Sequence, residues 1–198
     1  MENTLAHMTD TALIRSAING NHGAFNEVVR RYARLLAEFA AARTATYQDA
    51  EDAVQETFLL AYRHLQSFDE RYPLKNWLFT IVYRQLVSSY RKKQPGRLSE
   101  EVMQQLATTQ PPTLPHEWLW DAARMMGADM FTVLWLKYKQ EMPIAEIAAI
   151  MKKSQTAVRV LLHRARKRLA REIAECPPET AEQLNWNFRR SACLERTK

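Results

Sequence analysis

Residues 49–93 constrain the fold of this chain most strongly, because their apolar side chains repeat at the spacing of two consecutive α-helices. In the first helix Val54, Phe58 and Ala61 lie on one stripe that continues to Leu65, which predicts a buried face. The opposite stripe carries Asp52, Gln55, Glu56 and Leu59. A face that only meets water has little reason to expose a leucine among acids and amides, so this stripe indicates a surface that docks onto a partner.

The second helix, expected to start near Asn76, carries charge of the opposite sign. One side of it is apolar and is formed by Leu78, Ile81, Val82 and Leu86. Another stripe carries Trp77, Arg84, Ser88 and Arg91, and the helix ends in Arg91, Lys92 and Lys93. The polar loop before it, residues 66–75, contains Phe68 and Tyr72. Aromatic rings for bases and cations for phosphates are typical of a platform for single-stranded nucleic acid.

Simpler interpretations of both surfaces remain open. Acids at the start of a helix favour its macrodipole, which explains Asp49, Glu51 and Asp52 but not the polar residues one to two turns later. For Trp77, Phe68 and Tyr72, packing in the core is the default interpretation, and only their basic surroundings favour contact with DNA. A di-metal site is disfavoured because the chain contains no Glu-x-x-His sequence.

Composition favours an all-α protein that acts on a polyanion. The 198 residues include only four glycines, and Lys plus Arg exceed Asp plus Glu to give a formal net charge of +6. Nucleic acid is the first candidate for such a partner. Cys176 and Cys193 lack the spacing of a zinc site, so no cofactor is expected. The most apolar run, residues 35–42, is interrupted by Glu38 and is too short to span a bilayer, so the chain is expected in the cytoplasm without membrane insertion.

The pattern along the chain predicts two helical domains. Residues 9–94 form the first, with a helix capped by Thr9 or Asp10 and a long helix over residues 22–43. Residues 95–115 contain repeated prolines and little apolar periodicity, which indicates a flexible linker. Residues 116–172 form the second domain, and residues 173–198 are a tail to which no role is assigned.

The second domain contains a helix-turn-helix pattern. A helix opened by Pro143 is followed by the turn Lys152-Lys153-Ser154, and Ser154 can cap the next helix. That helix is expected to bury Val158, Leu162, Ala165 and Leu169. Its candidate DNA-binding residues are Gln155, Thr156, Arg159, Val160, His163, Arg164 and Lys167. Arg159 is the best candidate for a bidentate contact with guanine, whereas His163 is as easily a solvated residue as a DNA contact.

The run AEDAVQETFLLAYRHLQSF followed by WLFTIVYRQLVSSYRKK resembles the core-binding and promoter-melting domain of the extracytoplasmic-function (ECF) family of bacterial RNA polymerase sigma factors. The run AVRVLLHRARKRLA resembles the minus-thirty-five-binding domain of the same family. This chain departs from the family at five positions. It has Arg84 where the family commonly has Asn, Ser88 where it has Asp, Lys152 where it has Gly, Val160 where it has Ser, and Leu161 where it has Arg.

The resemblance implies an all-α protein with two helical domains joined by a flexible linker. It implies docking onto core RNA polymerase through Asp49, Glu51, Asp52, Gln55 and Glu56. Leu59 is added to these candidates because its spacing places it on the same outward stripe. The resemblance implies that the loop and second helix hold minus-ten DNA, through Phe68, Tyr72, Trp77, Arg84, Ser88, Arg91 and Lys92. The basic helix of the helix-turn-helix would bind minus-thirty-five DNA, and an anti-sigma factor that clamps the two domains together is also expected.

These observations predict an ECF-type sigma factor that directs core polymerase to promoters by binding and performs no bond-making chemistry. One alternative is a helix-turn-helix repressor or activator that acts without core polymerase and uses its first domain to dimerise or to sense a ligand. Another is a helical metal-dependent enzyme that uses Asp49, Asp52 and Glu56. The lack of a Gly-rich phosphate loop, of a Gly-x-Ser-x-Gly motif and of spaced histidines disfavours the enzyme.

Overall fold

The computed structural model describes residues 5–92 and 117–174 of the chain. These residues form helices joined by short turns, and no β-strand occurs among them, so the all-α prediction is confirmed. Internal contacts divide the chain into two compact units, one built mainly from the helices before residue 93 and the other mainly from the helices after residue 116. The predicted linker, residues 95–115, and residues 175–198 of the tail lie outside the described residues. No helix in the described ranges is long and apolar enough to cross a membrane.

The first unit contains the α-helices α1 (Asp10–Ile18), α2 (His22–Ala41), α3 (Tyr47–Arg63) and α4 (Leu74–Lys92), with a 3-10 turn at Leu65–Ser67. Side chains cap the first three helices. The Thr9 hydroxyl accepts a hydrogen bond from the Ala12 amide at 3.3 Å, and Asn21 and Thr46 play the same role for α2 and α3. Of the two caps predicted for α1, the structure therefore uses Thr9.

Two helix boundaries differ from their predictions. α4 starts at Leu74 rather than near Asn76, because the Pro73 carbonyl already accepts the amides of Asn76 and Trp77 at 3.0 and 3.4 Å. α2 ends at Ala41 rather than at residue 43. There the Arg43 amide turns back to the Ala40 carbonyl at 2.8 Å, a three-residue contact tighter than that of an α-helix.

The core of the first unit fixes the rotation of its helices about their axes. α3 packs against both α2 and α4, and every residue predicted to face inward between Val54 and Leu65 is buried. The rings of Phe39 and Phe79 meet edge to face in the centre, with their centroids 5.2 Å apart. The predicted apolar side of α4 is buried except at Ile81, which is half-buried. With these faces inside, the remaining faces of α3 and α4 must point outward.

The sequence pattern gives no sign of a buried carboxylate on α2, yet Glu27 is only 8% exposed. Arg30 donates to it from Nε and Nη2 at 2.7 and 2.8 Å, and Arg31 donates from Nε at 2.8 Å. These hydrogen bonds favour the charged form of the carboxyl group and lower the pKa of Glu27 to about 2. The two arginines therefore keep Glu27 ionised although it is almost fully buried.

Arg31 also fastens the start of the chain to α2. Its Nη1 donates to Asp10 at 3.0 Å, and its Nη2 donates to the backbone carbonyls of Leu5, Ala6 and Met8 at 3.3, 2.9 and 2.8 Å. One guanidinium group thus links the buried carboxylate, the first turn of α1 and the segment before α1. Arg31 can do this because its planar group offers five donors in a fixed geometry.

We expect Glu27→Gln to lower the melting temperature at pH 7 and to weaken its dependence on pH. Because the pKa of Glu27 is lower in the folded than in the unfolded chain, this carboxylate stabilises the protein above about pH 5 and loses that contribution as the pH falls toward about 2. The unsubstituted protein should lose stability over this window more steeply than the variant. Thermal unfolding followed by circular dichroism at several pH values measures the difference.

Asp52→Asn is the matched control, because Asp52 is an exposed acid of the same unit and accepts a hydrogen bond from the uncharged Gln48 at 3.2 Å. A surface contact of this kind contributes little to stability. Equal pH dependence for Glu27→Gln and the unsubstituted protein would contradict the assigned role of Glu27.

The second unit contains α5 (Glu117–Met125), α6 (Ala128–Leu134), α7 (Ile144–Met151) and α8 (Gln155–Ala174). α6 continues into a π-helical turn at Trp135–Lys139. The rings of Trp120, Phe131 and Trp135 form a cluster, with centroids 5.0, 5.3 and 6.1 Å apart. α8 packs against α5 and α6, and its four predicted inward residues, Val158, Leu162, Ala165 and Leu169, are buried.

Candidate partner-binding and nucleic-acid-binding surfaces

The outward side of α3 is an acidic face formed by Asp49, Glu51, Asp52, Gln55, Glu56 and Leu59. Asp52 and Gln55 are exposed, Leu59 is 51% exposed, and the remaining three are half-buried. Asp52 accepts a hydrogen bond from Gln48 Nε2 at 3.2 Å, which orients its carboxylate along the surface. All six residues predicted for partner docking are therefore accessible on one helix.

Two tyrosines missed by the sequence reasoning flank the acidic face. Tyr47 is 70% exposed at the start of α3, and Tyr62 is 39% exposed near its end. The Tyr62 hydroxyl lies 2.7 Å from Nδ1 of His22, and its ring packs against Phe25 with centroids 5.0 Å apart. Tyr62 follows Leu59 by three residues, the spacing of one helical face, so the sequence did contain a signal for it. Aromatic residues that are already fixed in place suit a protein interface, where they are enriched.

The aromatic residues of the loop before α4 fall into two environments. Phe68 and Trp77 are half-buried and pack on each other, with ring centroids 5.4 Å apart and planes inclined at 51°. Tyr72 is 59% exposed. The structure therefore joins Phe68 to the first turn of α4 and leaves Tyr72 as the most exposed of the three rings.

The polar stripe of α4 continues from Trp77 along the outside of the helix. Arg84 and Ser88 are both exposed, as the spacing predicts. Arg91 and Lys92 lie in the last turn of α4, but their side chains are outside the part of the chain that is described. Two of the four polar candidates on α4 are thus placed on one accessible stripe.

An arginine of α1 holds the loop that precedes α4. Arg15 Nε donates to Glu70 Oε1 at 2.7 Å and its Nη2 donates to Oε2, so the contact is bidentate across 55 residues of chain. Within the loop, Arg71 pairs with Asp69, with Nη2 2.6 Å from Oδ2. Hydrogen bonds from these arginines lower the pKa of both carboxyl groups. Each acid of the loop therefore has an arginine beside it, which offsets its repulsion of phosphate.

We expect Arg15→Ala to loosen this loop without unfolding the first unit, because surface ion pairs contribute little to overall stability. The amides of Arg71 and Tyr72, which are hydrogen-bonded to Asp69, should exchange with deuterium several-fold faster. Hydrogen-exchange mass spectrometry measures this change.

Arg34→Ala removes an ion pair that is local to α2 and should leave exchange in the loop unchanged. Exchanging the charges in the double variant Arg15→Glu with Glu70→Arg should restore part of the protection. Unchanged exchange in Arg15→Ala would show that the loop is held by other contacts.

The turn between α7 and α8 needs an uncommon backbone conformation. Lys152 has a φ of +50°, in the left-handed region. The Lys153 amide donates to the Ala148 carbonyl at 3.0 Å, and the Lys152 amide donates to the Ala149 carbonyl at 3.3 Å. This pair of hydrogen bonds is the Schellman arrangement, which ends a helix and usually places Gly at the left-handed residue. Lys152 therefore occupies the position at which this motif usually has Gly.

Two side chains fix the start of α8. The Ser154 hydroxyl accepts a hydrogen bond from the Ala157 amide at 3.1 Å, so the cap predicted at Ser154 is confirmed. Lys153 Nζ lies 3.1 Å from Asp129 Oδ2, which ties the turn to α6. The direction of α8 is therefore set by its cap and by an ion pair with a neighbouring helix.

We expect Lys152→Gly to stabilise the second unit by about 0.5–1 kcal/mol, because Gly relieves the left-handed strain but loses more entropy on folding. The core amides of Val158 and Leu162 should exchange correspondingly more slowly by hydrogen-exchange mass spectrometry. Lys153→Gly is the matched control: its φ is not in the left-handed region and it loses the pair with Asp129, so it should destabilise the unit. Equal effects of the two substitutions would contradict the assigned strain.

α8 presents a basic outward face. Its seven predicted DNA-binding residues, Gln155, Thr156, Arg159, Val160, His163, Arg164 and Lys167, are all exposed. The helix sequence contains six Arg or Lys residues and one acid, Glu172. The side opposite these residues is buried in the second unit, so the whole basic face is available to a polyanion.

Comparison with known proteins identifies both units. The family model described as sigma-70 region 2 matches residues 28–95, and the model described as sigma-70 region 4 matches residues 116–169. The two matches together span more than half of the chain. An all-α chain with these two regions in this order is an RNA polymerase sigma factor.

Full-length relatives narrow the class. RNA polymerase sigma factor YlaC of Bacillus subtilis is 28% identical over 162 residues, which cover 77% of this chain and 94% of the relative. The ECF RNA polymerase sigma factor SigW of the same organism is 24% identical, over 82% of this chain and 95% of the relative. The solved structure of sigma factor RpoE from Bartonella quintana, in complex with the anti-sigma factor NepR, matches with a TM-score of 0.62 and 25% identity over 77% of this chain and 98% of that one. The chain belongs to the ECF family of RNA polymerase sigma factors.

Proposed function

We propose that this sigma factor docks onto core RNA polymerase through the acidic face of α3, and directs initiation through α4 and α8. The main support for this proposal is that negative and positive side chains are exposed on separate helices. α3 exposes acids and a leucine, whereas α8 exposes a basic face with one acid in its sequence. A negative surface suits a basic protein partner, and a positive surface suits DNA, because complementary charge steers each association.

The acidic face has the composition of a docking site. Leu59 is an apolar anchor among Asp52, Gln55 and Glu56, with Tyr62 one turn farther on. Charges at the rim of such an interface set the rate of association and the choice of partner, whereas the apolar centre is desolvated on binding. Tyr47 and Tyr62 are proposed as additions to the six residues predicted from the sequence.

Promoter DNA is proposed to meet two separate surfaces. The exposed ring of Tyr72 and the stripe of Trp77, Arg84 and Ser88 on α4 are proposed to hold opened minus-ten DNA, with Phe68 packed behind Trp77. α8 is proposed to enter the major groove of the minus-thirty-five element, since a helix 10–12 Å across fits a groove about 12 Å wide. Arg159 remains the candidate for a bidentate guanine contact.

The domain limits proposed from the sequence are residues 9–94, 95–115 and 116–172, with a tail at 173–198. The contacts of Arg31 with the carbonyls of Leu5, Ala6 and Met8 support a first domain that also includes the segment just before α1.

An anti-sigma factor is proposed as a further partner. RpoE, which is similar to this chain over 77% of its length, is in complex with the anti-sigma factor NepR. We also place the protein in the cytoplasm, where core polymerase transcribes, and assign it no catalytic reaction of its own. A repressor or activator that acts without polymerase is not favoured, because the chain matches the model of sigma-70 region 2 in addition to that of region 4.

We expect the double variant Asp52→Arg with Glu56→Arg to lose at least about tenfold in affinity for core polymerase, because it places positive charge on the docking face. The melting temperature should change little, since neither residue is buried. Fluorescence anisotropy with labelled protein and purified core polymerase measures the affinity.

The control variant Glu141→Arg with Glu172→Arg changes the net charge equally at exposed positions outside α3 and should bind core normally. Unchanged affinity in the α3 variant would remove this face from the interface. Unfolding of that variant would show instead that the face is structural.

A further inference from the structure

The outward face of α8 has an apolar residue at its centre. Val160 is 44% exposed and lies almost opposite the buried Leu162 and Leu169 around the helix. Its neighbours one turn away on this face are Thr156 and Arg164, which are polar and exposed. A β-branched apolar side chain is thus presented to solvent between polar and basic groups, with the small exposed Ala157 beside it, where a surface that binds only phosphate needs none.

Val160 also borders an open groove of about 440 Å³ beside the start of α8. Its lining includes Asp129 and Lys153, and on α8 Thr156, Ala157, Val160 and Arg164. Val160 is therefore not covered by another element of the second unit. The basic side chains around it point to a polyanion as the occupant of this surface.

We propose that Val160 reads the C5 methyl group of a thymine in the upstream promoter element. This inference rests on the proposed function, because it requires α8 to lie in the major groove. A residue at the centre of the outward face of such a helix points at the floor of the groove, where the base edges lie. Residues at its sides, such as Arg159 about 100° away around the helix, point toward neighbouring base pairs or the backbone.

The chemistry of valine selects thymine among the four bases. Guanine, cytosine and adenine present hydrogen-bond donors or acceptors in the major groove, and only thymine adds a methyl group. Valine has no donor or acceptor, so against the other bases it would remove water from polar groups without replacing the hydrogen bonds. Against thymine it buries methyl on methyl. Val160 therefore acts as a specificity-determining residue, and the departure from the Ser common in the family at this position changes which base is favoured.

Deoxyuridine scanning tests the proposal, because deoxyuridine lacks only the methyl group of thymidine. A promoter is first selected from a random pool by holoenzyme assembled from the full-length protein and core polymerase. Each thymine of its upstream element is then replaced singly by deoxyuridine, and holoenzyme affinity is measured by competition. We expect one position at which the replacement lowers affinity by about fourfold, the fold-change that corresponds to burying one methyl group.

Two variants connect this loss to the residue. In Val160→Ser and Val160→Asn, which replace the apolar methyl groups by polar atoms, the affinity should no longer distinguish thymine from deoxyuridine at that position. His163→Ala, on the same outward face, is the matched control and should keep the fourfold difference whatever its effect on total affinity. Circular dichroism verifies that the variants are folded, as expected for an exposed position.

The outcomes separate this inference from the proposed function. If holoenzyme selects a promoter but no thymine is sensitive, or if Val160→Asn keeps the sensitivity, the assignment of Val160 is overturned while the sigma function stands. If the holoenzyme selects no promoter, the proposed function fails and the assignment of Val160 fails with it. If Val160→Asn weakens binding of a protein partner and leaves the thymine effect intact, Val160 belongs to a protein interface instead.

Discussion

The packing of α3 against α2 and α4 determines what the first unit offers to a partner. Val54, Phe58 and Ala61 are buried in this contact. With 3.6 residues per turn, their burial leaves Asp52 and Leu59 no orientation except outward. The hydrophobic effect, which stabilises the bundle, thereby also positions the residues of the proposed docking surface. Rotation of α3 about its axis cannot move Asp52 and Leu59 away from this surface without exposing the core residues on its other side.

Arginine connects the elements of the first unit at its edges. Arg31 joins the buried Glu27 to α1 and to the segment before it, and Arg15 joins α1 to the loop before α4 through Glu70. The second link bears on function, since it orders a loop whose own acids would repel DNA. Pairing Asp69 and Glu70 with arginines reduces this repulsion while it fixes the backbone that carries Tyr72. Ion pairs that hold the structure together therefore also shape the surface that is proposed to hold minus-ten DNA.

In the second unit, contacts around one turn set the direction of α8. A left-handed residue at Lys152 ends α7, Ser154 starts α8, and Lys153 ties the turn to Asp129. The chain uses a lysine where the family commonly has Gly, so it accepts local strain at the turn. The same helix carries Val160 where the family commonly has Ser. The fold is kept at both positions, whereas at Val160 the chemistry presented to DNA is different.

Helix faces and caps could be predicted from the sequence alone, because both depend on residues within one or two turns of each other. The spacing from Val54 to Leu65 and the hydroxyls of Thr9 and Ser154 are local signals, and the structure confirms them. The links from Arg15 to Glu70 and from Arg31 to the start of the chain were decided only by tertiary structure. Tertiary structure likewise decided that Phe68 packs on Trp77 and that the outward Tyr62 lies against His22. Periodicity tells which way a side chain points from its own helix, but the identity of the group it meets depends on how the helices pack.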